Sequence, residues 1–320
     1  MAYGMRAATK HITYFLLITS IFLLIRQVAL KHSSVSQIPP GTLPEMPLHI
    51  ASLGSSFAAG PCIKPQLPPK AAGRSAANYA QLLASKLDAR LTDLSVSGAT
   101  LLNLLDEPQV ATGWINGGHT FAPQVQDLPS DVDIVLVLGG GNDIGYISGM
   151  GMDIVKNSWP IRMVDTVRQF VFGASTPKPA LSFDDLVARY GKVLDAIHAK
   201  SPKAKIVVVE YLTLLGDDVK PRVDVTFDAE RVEHHKEVAA MLQRATEKAA
   251  SERNGWCERV PVAENSLLHG LGSEEPWTEG LSLGILIRGD APLHPNAKGM
   301  VAVANMLYEK LQGYDTKDSQ

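Results

Sequence analysis

The sequence predicts an α/β fold with a mainly parallel sheet and helices on both of its faces. Three observations lead there. Short apolar runs alternate with longer stretches of helical periodicity from residue 48 to about 312. Two of the runs, 133–138 (DIVLVL) and 205–212 (KIVVVEYL), are continuous and β-branched, as in strands buried on both faces. Glycines fall at the ends of several runs, where a chain leaving a sheet must turn.

In chain order, His49 to Leu53 is the first expected strand, leading into Gly54. Ser75 to Ala89 carries Tyr79, Leu82, Leu83 and Leu87 at helical spacing. Leu91 to Val96 forms a second short strand, and Asp133 to Leu138 the strongest one, ended by three glycines. Ser182 to Ala199 reads as a helix, with Ser182 as N-cap and Asp184 and Asp185 in its first turn. A strand at 205–212 precedes a long charged amphipathic helix from Phe227 to Ala250. Arg259 to Ala263 is a weaker strand, and Asn296 to Leu311 the final helix.

Composition removes several classes. Across 320 residues, 30 Lys and Arg face 33 Asp and Glu, a formal charge of −3, so no broad positive field invites nucleic acid. At 45% hydrophobic and 20% charged residues the chain is too apolar for disorder. Two cysteines, Cys62 and Cys257, make no disulfide scaffold and lack zinc spacing. An oxidising lumen permits a bridge between them, and two buried thiols are the alternative.

The amino terminus reads as a targeting segment, spanning 1–32. Residues 12–25 (ITYFLLITSIFLLI) are uncharged, with Arg6, Lys10 and His11 before them and Arg26 and Lys31 after. The run is short of the ~20 apolar residues of a spanning helix and closer to a signal-peptide core. An uncleaved signal anchor is the rival, since Val28 to Leu30 can lengthen the run if Arg26 snorkels. Either way the rest of the chain enters the secretory pathway, to be secreted or held at a membrane facing the lumen. Residues 33–47 form a Pro/Ser-rich linker, 48–314 the folded domain, and 315–320 a polar tail.

Four features at strand ends carry chemistry. After the first strand, Gly54-Ser55-Ser56-Phe57-Ala58-Ala59-Gly60 exposes a serine hydroxyl on a tight turn. It fails the G-x-S-x-G elbow, since Ala58 stands where the second glycine belongs. After the second strand comes Gly98, within Ser97-Gly98-Ala99-Thr100. After the third, Gly139-Gly140-Gly141-Asn142-Asp143 offers a neutral amide donor in a bend where backbones approach closely, as an oxyanion requires. Before the last helix, His294 sits between Pro292 and Pro295. Any one of these alone suits a plain turn, cap or surface group.

Together and in this order, the four resemble the blocks of the SGNH/GDSL hydrolase superfamily, over roughly residues 48–312. Ser56 matches the block I serine, flanked by Gly54 and Gly60. Gly98 matches the block II glycine, Gly140 to Asp143 the G-x-N-D of block III, and His294-Pro295 the H-P of the last block. Glu275-Pro276-Trp277 and the phrase HPNAKGM resemble fungal secreted members. The resemblance implies a three-layer α/β/α sandwich of flavodoxin-like type. It also implies a serine hydrolase acting on carboxylic esters, with Ser56 as nucleophile, His294 as general base and an oxyanion hole from Ser56, Gly98 and Asn142. No metal or organic cofactor is implied.

There are two departures. Ser55 replaces the aspartate that names GDSL, and Ala291 stands where the family commonly places an aspartate three residues before the histidine. Asp290 is then the candidate third catalytic residue, and a backbone carbonyl the alternative for orienting His294. Expected partners are small-molecule, carbohydrate or lipid esters, with no nucleic acid, membrane contact only through the amino-terminal segment, and a monomeric chain. Two other readings stay open: a membrane-anchored O-acyltransferase acting on glycans, and a non-catalytic carbohydrate- or lipid-binding relative. Asp143 is read as a brace for its loop, His234-His235 as a solvated face, and Trp114 and Trp277 as either site lining or core.

Overall fold

The computed structural model describes residues 47–111, 118–157 and 180–312. The expected targeting segment, most of the linker, Trp114, the polar tail and much of the stretch between 145 and 180 lie outside them. In chain order the elements are β1 (His49–Gly54), α1 (Ser56–Ala59), α2 (Tyr79–Lys86), β2 (Arg90–Asp93), α3 (Leu101–Leu105), β3 (Gln109–Val110) and β4 (Thr120–Phe121). There follow β5 (Ile134–Leu138), α4 (Tyr146–Asn157), α5 (Phe183–Lys200), β6 (Lys205–Val209), α6 (Ala229–Ser251), β7 (Cys257–Val260), α7 (Val262–Asn265), α8 (Leu283–Arg288) and α9 (Ala297–Leu311).

Five strands form one parallel sheet in the order β2-β1-β5-β6-β7. This is the 2-1-3-4-5 order of flavodoxin-like sheets, in which ligands gather where the order reverses. Here that switch point lies between β1 and β5. β1 and β5 are buried along their whole length; β5 (IVLVL) is accordingly apolar without alternation, while β1 (HIASLG) also buries the polar His49 and Ser52. Helices flank the sheet in two groups: α2 packs on α9, while α5 packs on both α3 and α6. β3 and β4 form a small separate antiparallel pair.

Most expected elements are present, with ends set by caps. Ser182 caps α5 by accepting the Asp185 N–H, and Asn296 caps α9 by accepting that of Gly299. The expected helix at 75–89 begins only at Tyr79, because the buried Asn78 side chain accepts the Gln81 N–H and starts it there. β7 begins and ends earlier than expected, since Ile206 pairs with Cys257 and Val209 with Val260. His235 corrects the expected solvated face of α6. His234 is exposed, but His235 is buried, with Nε2 2.9 Å from Asp153. Cys62 is exposed and Cys257 buried, and both are free thiols.

At the switch point Gly54 pairs in register with Leu138, and the Ser55 N–H donates to the Leu138 carbonyl at 3.0 Å. A Cβ at Gly54 would land on that same carbonyl oxygen, so only glycine fits. The buried side chain of Gln124 then grips both backbone groups of Gly54. It accepts the N–H at 2.8 Å and donates to the carbonyl at 2.9 Å. Gln124→Leu leaves the Gly54 N–H without a partner in a dry interior. We expect a stability loss of about 2 kcal/mol or more, read as a lower urea midpoint at unchanged m-value. An unchanged midpoint would show that water replaces the glutamine.

Candidate active site

The first turn after β1 places Ser56 at the start of α1, where its N–H has no acceptor within the helix. Its hydroxyl meets His294 across 238 residues of sequence, with Oγ 2.8 Å from Nε2. Ser56 is only 6% exposed, so the pair sits at the floor of the surface rather than out in solvent.

The other ring nitrogen settles the tautomer. Nδ1 of His294 lies 2.6 Å from the carbonyl oxygen of Pro292. A carbonyl can only accept, so Nδ1 carries the proton and Nε2 presents its lone pair to the Ser56 O–H. Burial holds the imidazole below its ordinary pKa, with the Pro292 carbonyl pulling more weakly the other way. The ring is therefore neutral near pH 7.

Asp290, the candidate third residue, is not brought to His294. Its carboxylate accepts from Arg288 Nε at 2.8 Å. The reason is local geometry. Leu293 is buried in the left-handed region at φ +58, and this turns the preceding carbonyl under the ring. The Leu293 N–H donates to the Glu279 carbonyl at 2.8 Å, and the Glu279 N–H donates to the His294 carbonyl at 2.8 Å, so the turn is held on both sides.

The segment around Trp277 supports the same loop. Asn296 Nδ2 donates to the Pro276 carbonyl at 2.9 Å, and the Asn296 N–H to the Trp277 carbonyl at 3.0 Å. A Cβ on Gly299 would strike that Trp277 carbonyl. Trp277 itself is partly buried and stacks on His269 with ring centroids 3.6 Å apart.

The second and third loops are tied to each other. Asn142 Nδ2 donates to the Ala99 carbonyl at 2.8 Å, which fixes the amide and leaves its second hydrogen for another acceptor. Asp143, buried, accepts the Leu101 N–H at 2.9 Å and Arg189 Nη1 at 2.7 Å. Burial pushes its carboxyl up, against the pull of both donors. Its position is that of a brace. Gly98, between Ser97 and Ala99, has φ +85, a conformation that favours glycine, and is exposed.

Tyr211, which the sequence did not single out, joins the first and third loops. Its hydroxyl accepts the Gly141 N–H at 3.0 Å and shares a hydrogen bond with Ser55 Oγ at 3.1 Å. Burial pushes the phenol up to about 12, so it stays protonated. Its ring lies 4.6 Å from Phe57, whose ring is 5.4 Å from the His294 imidazole. The expected strand over 205–212 contains Tyr211, whereas β6 ends at Val209 and leaves Tyr211 two residues beyond it, at the start of the following loop.

Among the described residues, no group of three or more His, Cys, Asp or Glu is arranged to hold a metal ion.

A hydrogen-bonded serine and imidazole thus stand at the switch point of a parallel sheet of flavodoxin-like order. Residues 52–302 match the GDSL-like lipase/acylhydrolase family, and the chain belongs to it as an ester hydrolase. Among curated relatives, Lipase 2 of Streptomyces coelicolor is 25% identical over 288 residues, 85% of this chain and 86% of the relative. Phospholipase A1 of Streptomyces albidoflavus shares the fold at TM-score 0.61 and 20% identity, over 82% of this chain and 99% of that one. The extracellular lipase of Streptomyces rimosus does so at 0.58 and 20%, over 82% and 98%.

Because Nδ1 already has its acceptor, Asp290→Ala should leave kcat/KM within about two-fold of the unaltered chain, whereas loss of an orienting acid ordinarily costs orders of magnitude. Turnover of p-nitrophenyl butyrate measures this. A hundred-fold loss would mean that Asp290 reaches the ring during the reaction.

Proposed function

We propose that this chain is a secreted or lumenal serine esterase that cleaves acyl or acetyl esters through an acyl-enzyme. The observation that carries the reading is the Ser56–His294 hydrogen bond, with the ring's other nitrogen donating to Pro292. A free serine hydroxyl is a poor nucleophile near neutral pH, so a neutral imidazole with its lone pair on the hydroxyl is the group the reaction needs.

Ser56 Oγ attacks the ester carbonyl carbon while Nε2 takes its proton, a contribution of about 10²–10⁴-fold. The tetrahedral oxyanion is stabilised by the Ser56 N–H, the Gly98 N–H and the second hydrogen of the Asn142 amide. The imidazolium then returns its proton to the leaving alkoxide, which departs as the alcohol. Water attacks the acyl-enzyme with His294 again as base, releasing the acid and restoring Ser56. Pro292 supplies orientation for the imidazolium, but no full negative charge.

The relatives support an acyl ester substrate: those named above are lipases and a phospholipase A1. Export is supported by the basic and apolar pattern of residues 1–32, and the Streptomyces rimosus relative is an extracellular lipase.

Ser56→Ala should abolish p-nitrophenyl ester turnover by about 10⁴-fold or more and prevent labelling by a fluorophosphonate probe, with the circular dichroism spectrum unchanged. Wild-type turnover in that variant would end the proposal. Asn142→Ala should cost about 10²–10³-fold in kcat.

The pH profile follows from the His294 shift. The base works only when neutral, and burial lowers the pH at which it takes up a proton. Activity should therefore persist as pH falls past the ordinary imidazole range, with the acid limb of kcat/KM below about 6.5. A limb near 6.5 would place the ring in water, and one above 7 would place a negative charge beside it.

A further inference from the structure

Beside the loop that follows β6 lies a partly open cavity of about 190 Å³, whose apolar lining includes Tyr146, Tyr211, Leu212, Leu214, Ala239 and Leu242. Neither Ser56 nor His294, Gly98 or Asn142 lines it. Tyr211 is the dividing wall, its hydroxyl being turned to Ser55 and Gly141.

Most polar side chains around its depth are turned to protein partners, and Gln243 adds an amide to the lining. Glu210 takes Arg259 and the Ala263 N–H, Thr213 Oγ1 donates to the Ala263 carbonyl at 2.7 Å, and Thr246 Oγ1 to the Gln243 carbonyl at 2.7 Å. His235 commits Nε2 to Asp153, and the Leu214 amide faces the Tyr146 hydroxyl. What remains facing the cavity is mainly hydrocarbon. A volume of about 150 Å³ accepts a ring the size of benzene, so by volume this one suits about six carbons.

The mouth differs from the depth. Asp217, 89% exposed, and Lys236 bound it, separated by 3.5 Å. One donor and one acceptor stand side by side there. A hydroxyl, which both donates and accepts, matches this pair, whereas a carboxylate would face Asp217.

We propose that this cavity is a second, non-catalytic binding site for a short unbranched aliphatic alcohol, with the chain inside and the hydroxyl between Lys236 and Asp217. An ester hydrolase releases molecules of this class, although binding here requires nothing of the chemistry at Ser56.

The test is calorimetric titration of the full chain with 1-hexanol, paired with sodium hexanoate. The expected result is saturable binding of hexanol, more weakly matched by hexanoate. Ser56→Ala, and protein already labelled at Ser56 by a fluorophosphonate, should bind hexanol as the unaltered protein does. Ala239→Phe, which fills the space from α6, should weaken it by about ten-fold or more. Ala240→Val reads the same volume should the larger residue prevent folding. Hexanol binding lost on labelling Ser56 would place the alcohol in the catalytic mouth and overturn the proposal. Full binding by the folded cavity-filling variants, or tighter binding of hexanoate, would overturn it as well. Because binding rather than turnover is read, an inactive enzyme leaves the result interpretable.

Discussion

Where β1 and β5 end level with each other, two chains must turn away from the sheet with no space for a side chain between them. Gly54 meets that constraint by having none, and Gln124 holds its N–H and, alongside the Val96 N–H, its carbonyl. The turn that results begins with Ser55 bonded back to Leu138. From there the position of Ser56 is determined by main-chain geometry rather than by its own side chain. Tyr211 extends the same logic to the neighbouring loop, since one hydroxyl holds both Ser55 and Gly141. Asn142 and Asp143 carry it on to the loop of Gly98 through Ala99 and Leu101.

The donors proposed for the oxyanion thus sit on loops held by protein contacts alone. Preorganisation of this kind is where such sites gain most of their effect, because the groups need not reorient as charge develops. The histidine side is built differently. A neutral acceptor selects the same tautomer that a carboxylate would select, but offers the imidazolium less electrostatic compensation. The lowered basicity that burial imposes works in the same direction.

Much of this was legible in the sequence, and the rest was not for identifiable reasons. Continuous β-branched runs identify β5 and β6 because a strand covered on both faces has no polar side to show. Ser182 and Asn296 mark helix starts because capping is a local bond between residues three apart. Ser56, Gly98, Asn142 and His294 stood out at strand and loop ends, and the structure brings Ser56 to His294 and Asn142 to the loop of Gly98. Gln124 and Tyr211 did not stand out, and His235 reads in the sequence as part of a solvated face. Their partners are 70, 156 and 82 residues away, and no local pattern announces such a bond. Asp290 attracted attention as the nearest acid, but proximity along the chain says little when Leu293 reverses the backbone's hand between it and the ring.

The group beneath the imidazole belongs to the main chain, and every amino acid brings the same oxygen. No exchange of one side chain at position 292 can delete it. Only rerouting the backbone, by altering the length of the segment or the twist at Leu293, would set the ring loose. An aspartate in that role is open to loss by a single codon change; here the weakness is moved from chemical identity to path.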